Sequence, residues 1–293
     1  MHSDQAELNR WIGTTRTDHD IVAPAPMASL AALLDKDPAE AHQYRSLPPL
    51  WHWLYLHSPV RQAELAGDGH PRRGDFLPPV PLPRRMWAGG RLRFLHDIPV
   101  NSTLTRTSTI SDVTVKRGRS GQLVFVLVTH EIRAAKELAI VEEHDIVYRE
   151  AASATGNAGN SIADPAGQAP ENFDYCREQV ADVTLLFRYS ALTFNAHRIH
   201  YDRDYAVKEE GYSGLVVHGP LLATLLLELL RDNLPDLRIT DFSFRALHPV
   251  FDLKVFRTCA RQLDSGDWEL WIADQDNRLC MKASARIQKP GRL

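Results

Sequence analysis

Four polar side chains able to take part in proton chemistry lie within one stretch of the chain, residues 187–222. They are Asn195, His197, His200 and His218. An imidazole with an ordinary pKa near 6.5 can take up and return a proton at physiological pH. An amide has no usable basicity, so Asn195 can orient water but cannot take its proton. The segment is therefore predicted to carry acid–base chemistry.

The same stretch ends in the sequence His218-Gly219-Pro220, which leads into an apolar helix. Proline is favoured at the start of a helix, where its missing N–H costs nothing. Free N–H groups and the helix dipole at such a start can bind developing negative charge. The helix itself is predicted from leucines at helical spacing, with Pro235 just beyond its end: Leu221, Leu222, Leu225, Leu226, Leu229 and Leu230.

The elements that must position these residues are clearest in the second half of the chain. The pattern predicts a strand over 183–189, a short helix over 202–210, and then four strands separated by turn signals. Those strands are expected near 238–247, 250–263, 268–275 and 278–288. A long buried helix followed by an antiparallel meander predicts a sheet wrapped around one helix.

The first half is predicted to be a degenerate repeat with the same order of elements. Residues 22–35 resemble 216–230 in pattern, and Arg93–His96 recurs as Arg245–His248. Strands are predicted near 51–56, 90–98, 102–118, 121–134 and 137–148.

Because Ala23-Pro24-Ala25 stands where the second half has His218-Gly219-Pro220, one active site per chain is expected, with the first half forming one wall of the substrate tunnel. His96 and His248, at the ends of strands, are expected to be structural.

Composition sets the domain plan and excludes several classes of protein. The 293 residues are divided into a first domain over 1–155, a linker over 156–172 and a second domain over 173–293. The proline-rich residues 58–86 are predicted to be a long loop that covers a site.

A net charge of −3 without a basic run argues against nucleic acid as a partner, and the apolar runs are too short for a membrane span. Three cysteines without a CxxC indicate neither a disulfide framework nor a zinc knuckle. We expect a soluble, reduced, cytoplasmic protein.

One helix wrapped by an antiparallel sheet, duplicated in tandem, resembles the double hot-dog fold, of class α+β. The segment SALTFNAHRIHYD, followed by VVHGPL, resembles the active site of the MaoC-like and type 2 hydroxyacyl-thioester dehydratases. Within that family it is most similar to the mesaconyl-CoA and itaconyl-CoA hydratase group. The resemblance implies a hydro-lyase that adds water reversibly to a short dicarboxylic enoyl-CoA. It also implies no metal and no redox cofactor, with coenzyme A as part of the substrate.

The resemblance also implies residue roles. His200 keeps the catalytic position of the family and becomes base for water and then acid toward the α-carbon. Asn195 replaces the family's aspartate and is expected to hold the water. The N–H of Gly219 is expected to bind the thioester oxygen.

Substrate-binding roles follow from the charge of a dicarboxylic thioester. Arg198, Tyr201 and His218 are candidates for the distal carboxylate, because a buried carboxylate needs a cation or a hydrogen-bond donor. Arg245 and Lys254 are candidates for the coenzyme A phosphates. Each of these residues also has a structural interpretation. Arg198, Arg245 and Lys254 can be surface charges, Tyr201 can be a packing residue, and His218 can form a hydrogen bond at the helix start.

Three other functions remain open at this level. A 3-hydroxyacyl-thioester dehydratase of fatty acyl chains would share the catalytic residues and differ in its pocket. Thioester hydrolysis would need a carboxylate where Asn195 stands. An acyl-CoA-binding module without turnover would use the same cavity. A metal on His197, His200 and His218 is disfavoured, since no carboxylate–histidine pattern accompanies them, and a homodimer is mildly preferred.

Overall fold

The protein forms one antiparallel sheet of ten strands. The computed structural model describes residues 5–118, 121–150 and 167–288. The strand order is β1-β3-β4-β5-β2-β7-β10-β9-β8-β6. The strands are β1 (Thr15–Ile21), β2 (Arg84–Phe94), β3 (Thr103–Gly118), β4 (Gly121–Ala134), β5 (Glu137–Arg149), β6 (Tyr175–Val180), β7 (Arg238–Ala246), β8 (Val255–Gln262), β9 (Trp268–Asp274) and β10 (Leu279–Gln288).

The two halves of the sheet have the same topology. Read from its outer edge, the first half runs β1-β3-β4-β5-β2, and the second runs β6-β8-β9-β10-β7. The halves join where β2 pairs with β7, with Gly90 opposite Phe244. This identity of strand order confirms the predicted tandem double hot-dog of class α+β.

The described residues form five α-helices: α1 (Gln5–Asn9), α2 (Pro24–Leu33), α3 (Pro38–Ala41), α4 (Val183–Leu192) and α5 (Gly219–Asn233). The predicted leucine-rich helix is α5, and every residue from Leu221 to Leu230 is buried. Its one buried carboxylate, Glu228, is bonded to Lys36 and Arg231 and accepts the Trp51 Nε1–H at 2.9 Å. A carboxylate inside a core is tolerated when it is paired in this way.

The predicted strand over 183–189 is wrong, because this segment is α4. The Asp182 side chain caps it by accepting the Leu185 N–H at 2.7 Å. Leu186, Tyr189 and Ser190 are its buried residues, at helical spacing. Short apolar runs of β-branched and aromatic residues fit both strand and helix patterns, and here the cap decided the outcome. The short helix predicted over 202–210 is a π-helical turn, Tyr205–Glu209.

The predicted match between residues 22–35 and 216–230 is also wrong. Helix α2 begins three residues after β1 ends, α4 begins three residues after β6 ends, and both span ten residues. The counterpart of α2 is therefore α4.

The counterpart of the start of α5 lies further along the first half. The Leu47 N–H donates to Ile98 O at 2.8 Å, as the Val217 N–H donates to Val250 O at 2.8 Å. This register aligns Pro49 with Gly219. Residues 51–56, predicted as a strand, contain a 3-10 helix at Trp51–Leu54 where the second half begins its long helix. Since proline has no N–H, the first half has no donor at the position of Gly219.

The repeated Arg-x-Leu-His motif does mark equivalent positions. Strands β2 and β7 each end at the second residue of the motif. The next two N–H groups then donate to one carbonyl of a neighbouring strand: Leu95 and His96 to Ala139 O, and Leu247 and His248 to Cys280 O.

The domain boundary and most of the linker over 156–172 lie outside the described residues and stay a prediction. Within the described residues, no helix is long and apolar enough to cross a membrane.

Candidate active site

A cavity of about 490 Å³ lies between the two halves. The second half contributes the loop before α5 and the first turn of that helix. The first half contributes β2 to β5 and the loop over 58–86, which was predicted to cover a site. This central cavity brings together Asn195, His197, His200 and Gly219.

His200 is held as a neutral base. It ends a 3-10 helix, Arg198–His200, and its side chain is buried. Its Nδ1 lies 2.7 Å from the Val216 carbonyl oxygen. A carbonyl only accepts, so Nδ1 carries the hydrogen and Nε2 keeps its lone pair. Burial lowers the pKa of His200 to about 4, and the ring is therefore uncharged at neutral pH.

Gly219 supplies an unused backbone donor. It is the first residue of α5, and the His218 side chain does not cap the helix. Among the described residues, its N–H has no hydrogen-bond partner. A Cβ built on Gly219 would meet no atom within 4 Å, so the space beside this residue is open. The position can hold an oxyanion at the positive end of the helix dipole.

His218 lies behind His200 and does not line the central cavity. The two rings stack with centroids 3.7 Å apart and planes at 19°. His218 Nε2 lies 2.8 Å from Ser190 Oγ on α4. Burial lowers the pKa of His218 well below its ordinary value, so the stack is neutral. His218 therefore contacts the catalytic groups through the ring of His200.

Asn195 lines the cavity. Its Oδ1 accepts the His197 N–H at 3.0 Å, which closes a turn. Its NH₂ group remains to donate toward water.

The remaining substrate-binding candidates do not line the central cavity. Arg198 is paired with Asp202 at 2.7 Å, and its guanidinium lies over the Tyr205 ring. The Tyr201 hydroxyl donates to Ala196 O at 3.0 Å. Arg245 and Lys254 are exposed on the second half. The assignment of Arg198 to a distal carboxylate is therefore corrected, because its charge is already balanced by a carboxylate four residues along the chain.

Sequence reasoning missed three cavity residues from the first half. Asp68 and His70 lie in the covering loop, with Asp68 Oδ2 3.1 Å from His70 Nδ1. The His70 ring lies 4.1 Å from that of His197. Arg85, on β2, also lines the cavity. The available signal was the Asp-Gly-His sequence inside a loop that was itself predicted to cover a site.

The first half also contributes a buried polar wall. Glu142 accepts hydrogen bonds from His52 at 3.0 Å, Trp53 at 2.8 Å and His144 at 2.7 Å. Burial opposes the charge of Glu142, yet the two histidines hold its pKa well below the usual range. His144 and its neighbour His130 line the cavity, so this network fixes the shape of that wall.

Possible metal ligands also occur at the cavity. Within the part of the chain that the structure describes, one group of at least three such side chains has its ligand atoms within 4.8 Å: Asp68, His70 and His197. The histidine triad considered from sequence is not that group, because His200 and His218 are bonded to Val216 O and Ser190 Oγ.

A neutral buried imidazole and a free helix N–H, facing one cavity between two hot-dog halves, define a MaoC-like hydratase or dehydratase site. The sequence model of the hydroxyacyl-thioester dehydratase type 2 family matches residues 50–252, and the chain belongs to this family. Since its relatives are hydratases and dehydratases, the protein is a hydro-lyase.

Two sequence relatives support this placement, and one solved structure supports the fold. The chain is 47% identical over 256 residues to mesaconyl-C(4)-CoA hydratase of Chloroflexus aurantiacus, covering 87% of this chain and 89% of that one. It is 27% identical over 253 residues to the mitochondrial hydroxyacyl-thioester dehydratase type 2 of Schizosaccharomyces pombe, covering 78% and 80%. A MaoC-like dehydratase from Phytophthora capsici shares the fold, with a TM-score of 0.69 at 13% identity and 98% of each chain covered.

Proposed function

We propose that the protein hydrates mesaconyl-C4-CoA reversibly to citramalyl-CoA. The observation that carries the chemistry is the neutral His200 facing the same cavity as the unpartnered Gly219 N–H. The identity of 47% to a mesaconyl-C(4)-CoA hydratase supports the choice of substrate. Itaconyl-CoA, whose double bond is not conjugated with the thioester, would first need a proton shift.

The reaction needs one base and one oxyanion donor. Water attacks the β-carbon as His200 Nε2 takes one of its protons, and the electron pair of the double bond moves to the thioester oxygen. The Gly219 N–H binds that enolate oxygen, an interaction typically worth about 3 kcal/mol in the transition state. The imidazolium then returns the proton to the α-carbon, which restores the neutral ring. No metal or redox cofactor takes part in this proposal.

Arg85 is the proposed partner of the substrate carboxylate. In mesaconyl-C4-CoA this carboxylate is bonded to the β-carbon, so its cation must lie beside the catalytic groups. Burial lowers the pKa of His70 and His197, and the nearby charge of Arg85 lowers both further. Among the described residues Arg85 forms no ion pair, whereas its neighbour Arg84 is bonded to Glu210 at 3.1 Å.

The test compares mesaconyl-C4-CoA with crotonyl-CoA by loss of enoyl-thioester absorbance. Arg85→Met removes a charge-assisted contact worth about 1.5–3 kcal/mol, so kcat/KM for mesaconyl-C4-CoA should fall about 10- to 100-fold. Activity on crotonyl-CoA should not fall. Arg93→Met, on the same strand but exposed and away from the cavity, is the matched control.

Each alternative function has its own outcome in this assay. Preference of the wild type for crotonyl-CoA and longer enoyl-CoAs would indicate a 3-hydroxyacyl-thioester dehydratase of fatty acyl chains. Binding of acyl-CoA without turnover would indicate a binding module. Release of free coenzyme A would indicate thioester hydrolysis.

The setting of the enzyme is also a proposal. We place it in the cytoplasm, where coenzyme A thioesters are made and used. We also propose that the protein is a homodimer, although the pairing of β2 with β7 already joins two hot-dog halves within one chain.

The coenzyme A phosphates need cations at the mouth of the site. The exposed Arg72, which lines the central cavity, is better placed for this role than Arg245 or Lys254.

A further inference from the structure

The hydration site lacks the carboxylate that its catalytic loop would be expected to hold. Asn195 cannot accept a proton, and its Oδ1 is occupied by the His197 N–H. The described carboxylates that line the central cavity are Asp68, Asp75 and Glu210. Glu210 is paired with Arg84 and Asp75 is exposed. Asp68 is therefore the carboxylate available to the catalytic groups, and it comes from the other half of the chain.

The loop that carries Asp68 is docked directly on the catalytic loop. The Arg198 N–H donates to Asp68 O at 2.9 Å, and Arg198 Nη1 donates to Gly67 O at 3.0 Å. Gly69 has φ +88°, and a Cβ there would overlap the Ala196 carbonyl oxygen. Only glycine allows both this backbone conformation and this approach. The close fit fixes the position of His70 against the ring of His197.

The pairing of Asp68 with His70 sets the state of the imidazole. The carboxylate accepts both the His70 backbone N–H at 2.9 Å and the ring Nδ1–H at 3.1 Å. The hydrogen therefore stays on Nδ1, and Nε2 keeps a lone pair. The charged and titratable groups described around His70 include Asp68, Arg73, Arg85, His197 and His200. With Nδ1 on Asp68, Nε2 is the side of the ring left to accept a hydrogen bond, and burial lowers the pKa of His70 despite the nearby carboxylate.

We propose that Asp68 and His70 form a second catalytic pair that replaces the missing carboxylate of the catalytic loop. His70 Nε2 accepts one O–H of the attacking water, while His200 Nε2 takes the proton of the other. The Asn195 amide donates to the water oxygen. His70 gains and loses no proton in this scheme, so the proton balance of the hydration is unchanged. Asp68 acts as a positioning residue, because it fixes the tautomer of His70.

This inference rests on the proposed hydration, and its test uses whichever enoyl-CoA the wild type turns over. Asp68→Asn lets the ring adopt the other tautomer, which turns Nε2 into a donor. Misplacement of a reacting group typically costs up to about 10²-fold, so kcat should fall about 10- to 10²-fold with little change in KM. His70→Ala should have an effect of the same size.

The decisive variant is the double substitution Asp68→Asn with Asn195→Asp. A carboxylate at 195 can accept the second O–H of the water directly, so kcat should recover at least tenfold over Asp68→Asn alone. The control is Glu64→Gln in the same loop. This half-exposed carboxylate is paired with Arg61 and does not line the central cavity, so its replacement should leave activity unchanged. Melting temperatures of all variants check that the loop still folds.

Three results would overturn the inference. The first is activity within about fivefold of wild type in both single variants. The second is no recovery in the double variant, since that is expected if Asp68 only holds the loop in place. The third is loss of wild-type activity with a chelator and its return with Zn²⁺, which would make Asp68, His70 and His197 a metal site. A wild type that hydrates no enoyl-CoA would overturn the proposed function and this inference together.

Discussion

Gly219→Ala separates the catalytic role of one backbone N–H from the stability of the fold. A Cβ at this position meets no protein atom within 4 Å, and the backbone is outside the left-handed region. Alanine should therefore fit without strain. Replacing glycine by alanine at a compatible position stabilises a protein by about 0.4–1 kcal/mol, through the lower entropy of the unfolded chain. The melting temperature should stay the same or rise slightly.

Activity should change in the opposite direction. The new methyl group stands beside the N–H of Gly219, where the thioester oxygen must approach. Loss of one oxyanion donor costs about 2.7–4 kcal/mol in the transition state, or roughly 10²- to 10³-fold in kcat. The contact forms mainly as the enolate develops, so kcat should carry most of the loss.

The assay follows enoyl-thioester absorbance across substrate concentrations, with thermal unfolding measured on the same samples. Gly167→Ala is the matched control: its Cβ also meets open space, its φ is also ordinary, and it lies away from the cavity. A Gly219→Ala enzyme with kcat within threefold of wild type would refute the assignment of the oxyanion site. A large fall in melting temperature would refute the statement that the space is free.

The remaining predictions concern His200 and the other buried histidines. His200→Ala should lower kcat by several orders of magnitude without loss of fold, and near-normal turnover would exclude it as the base. With its pKa at about 4, kcat/KM should hold nearly constant down to pH 5.5, where an ordinary histidine would be about nine-tenths protonated; a fall centred near pH 6.5 would contradict this. The free energy of unfolding should decrease as the pH falls from about 6.5 to about 4, because the unfolded chain binds protons that the folded one does not. His200 alone accounts for about 3 kcal/mol, and His130 and His218 act in the same direction. Denaturant titrations at pH 7 and pH 4.5 measure the difference, and equal stability at both would show that these rings are not held neutral.

Local patterns predicted the parts of the fold whose residues are adjacent in the chain. The leucine spacing of α5 and the turn signals of the meander β7 to β10 correspond to the observed elements. The Arg-x-Leu-His repeat correctly located equivalent strand ends. The pattern failed for α4, since residues 183–189 hold five apolar residues in seven and show no distinct period. It also failed for Trp51–Leu54, which was predicted as a strand. The counterpart of the start of α5 was instead assigned to residues 22–35.

The sequence by itself determined the catalytic segment, because His200 and the start of α5 lie within twenty residues and are joined by one loop. Only the tertiary structure decided what else reaches the cavity. Asp68, His70 and Arg85 come from more than one hundred residues away, brought there by the pairing of β2 with β7 and by a glycine that allows two loops to touch. It also placed Arg198 outside the cavity lining, in an ion pair with Asp202. Contacts of this kind depend on which surfaces meet when the core closes, and no local spacing encodes them.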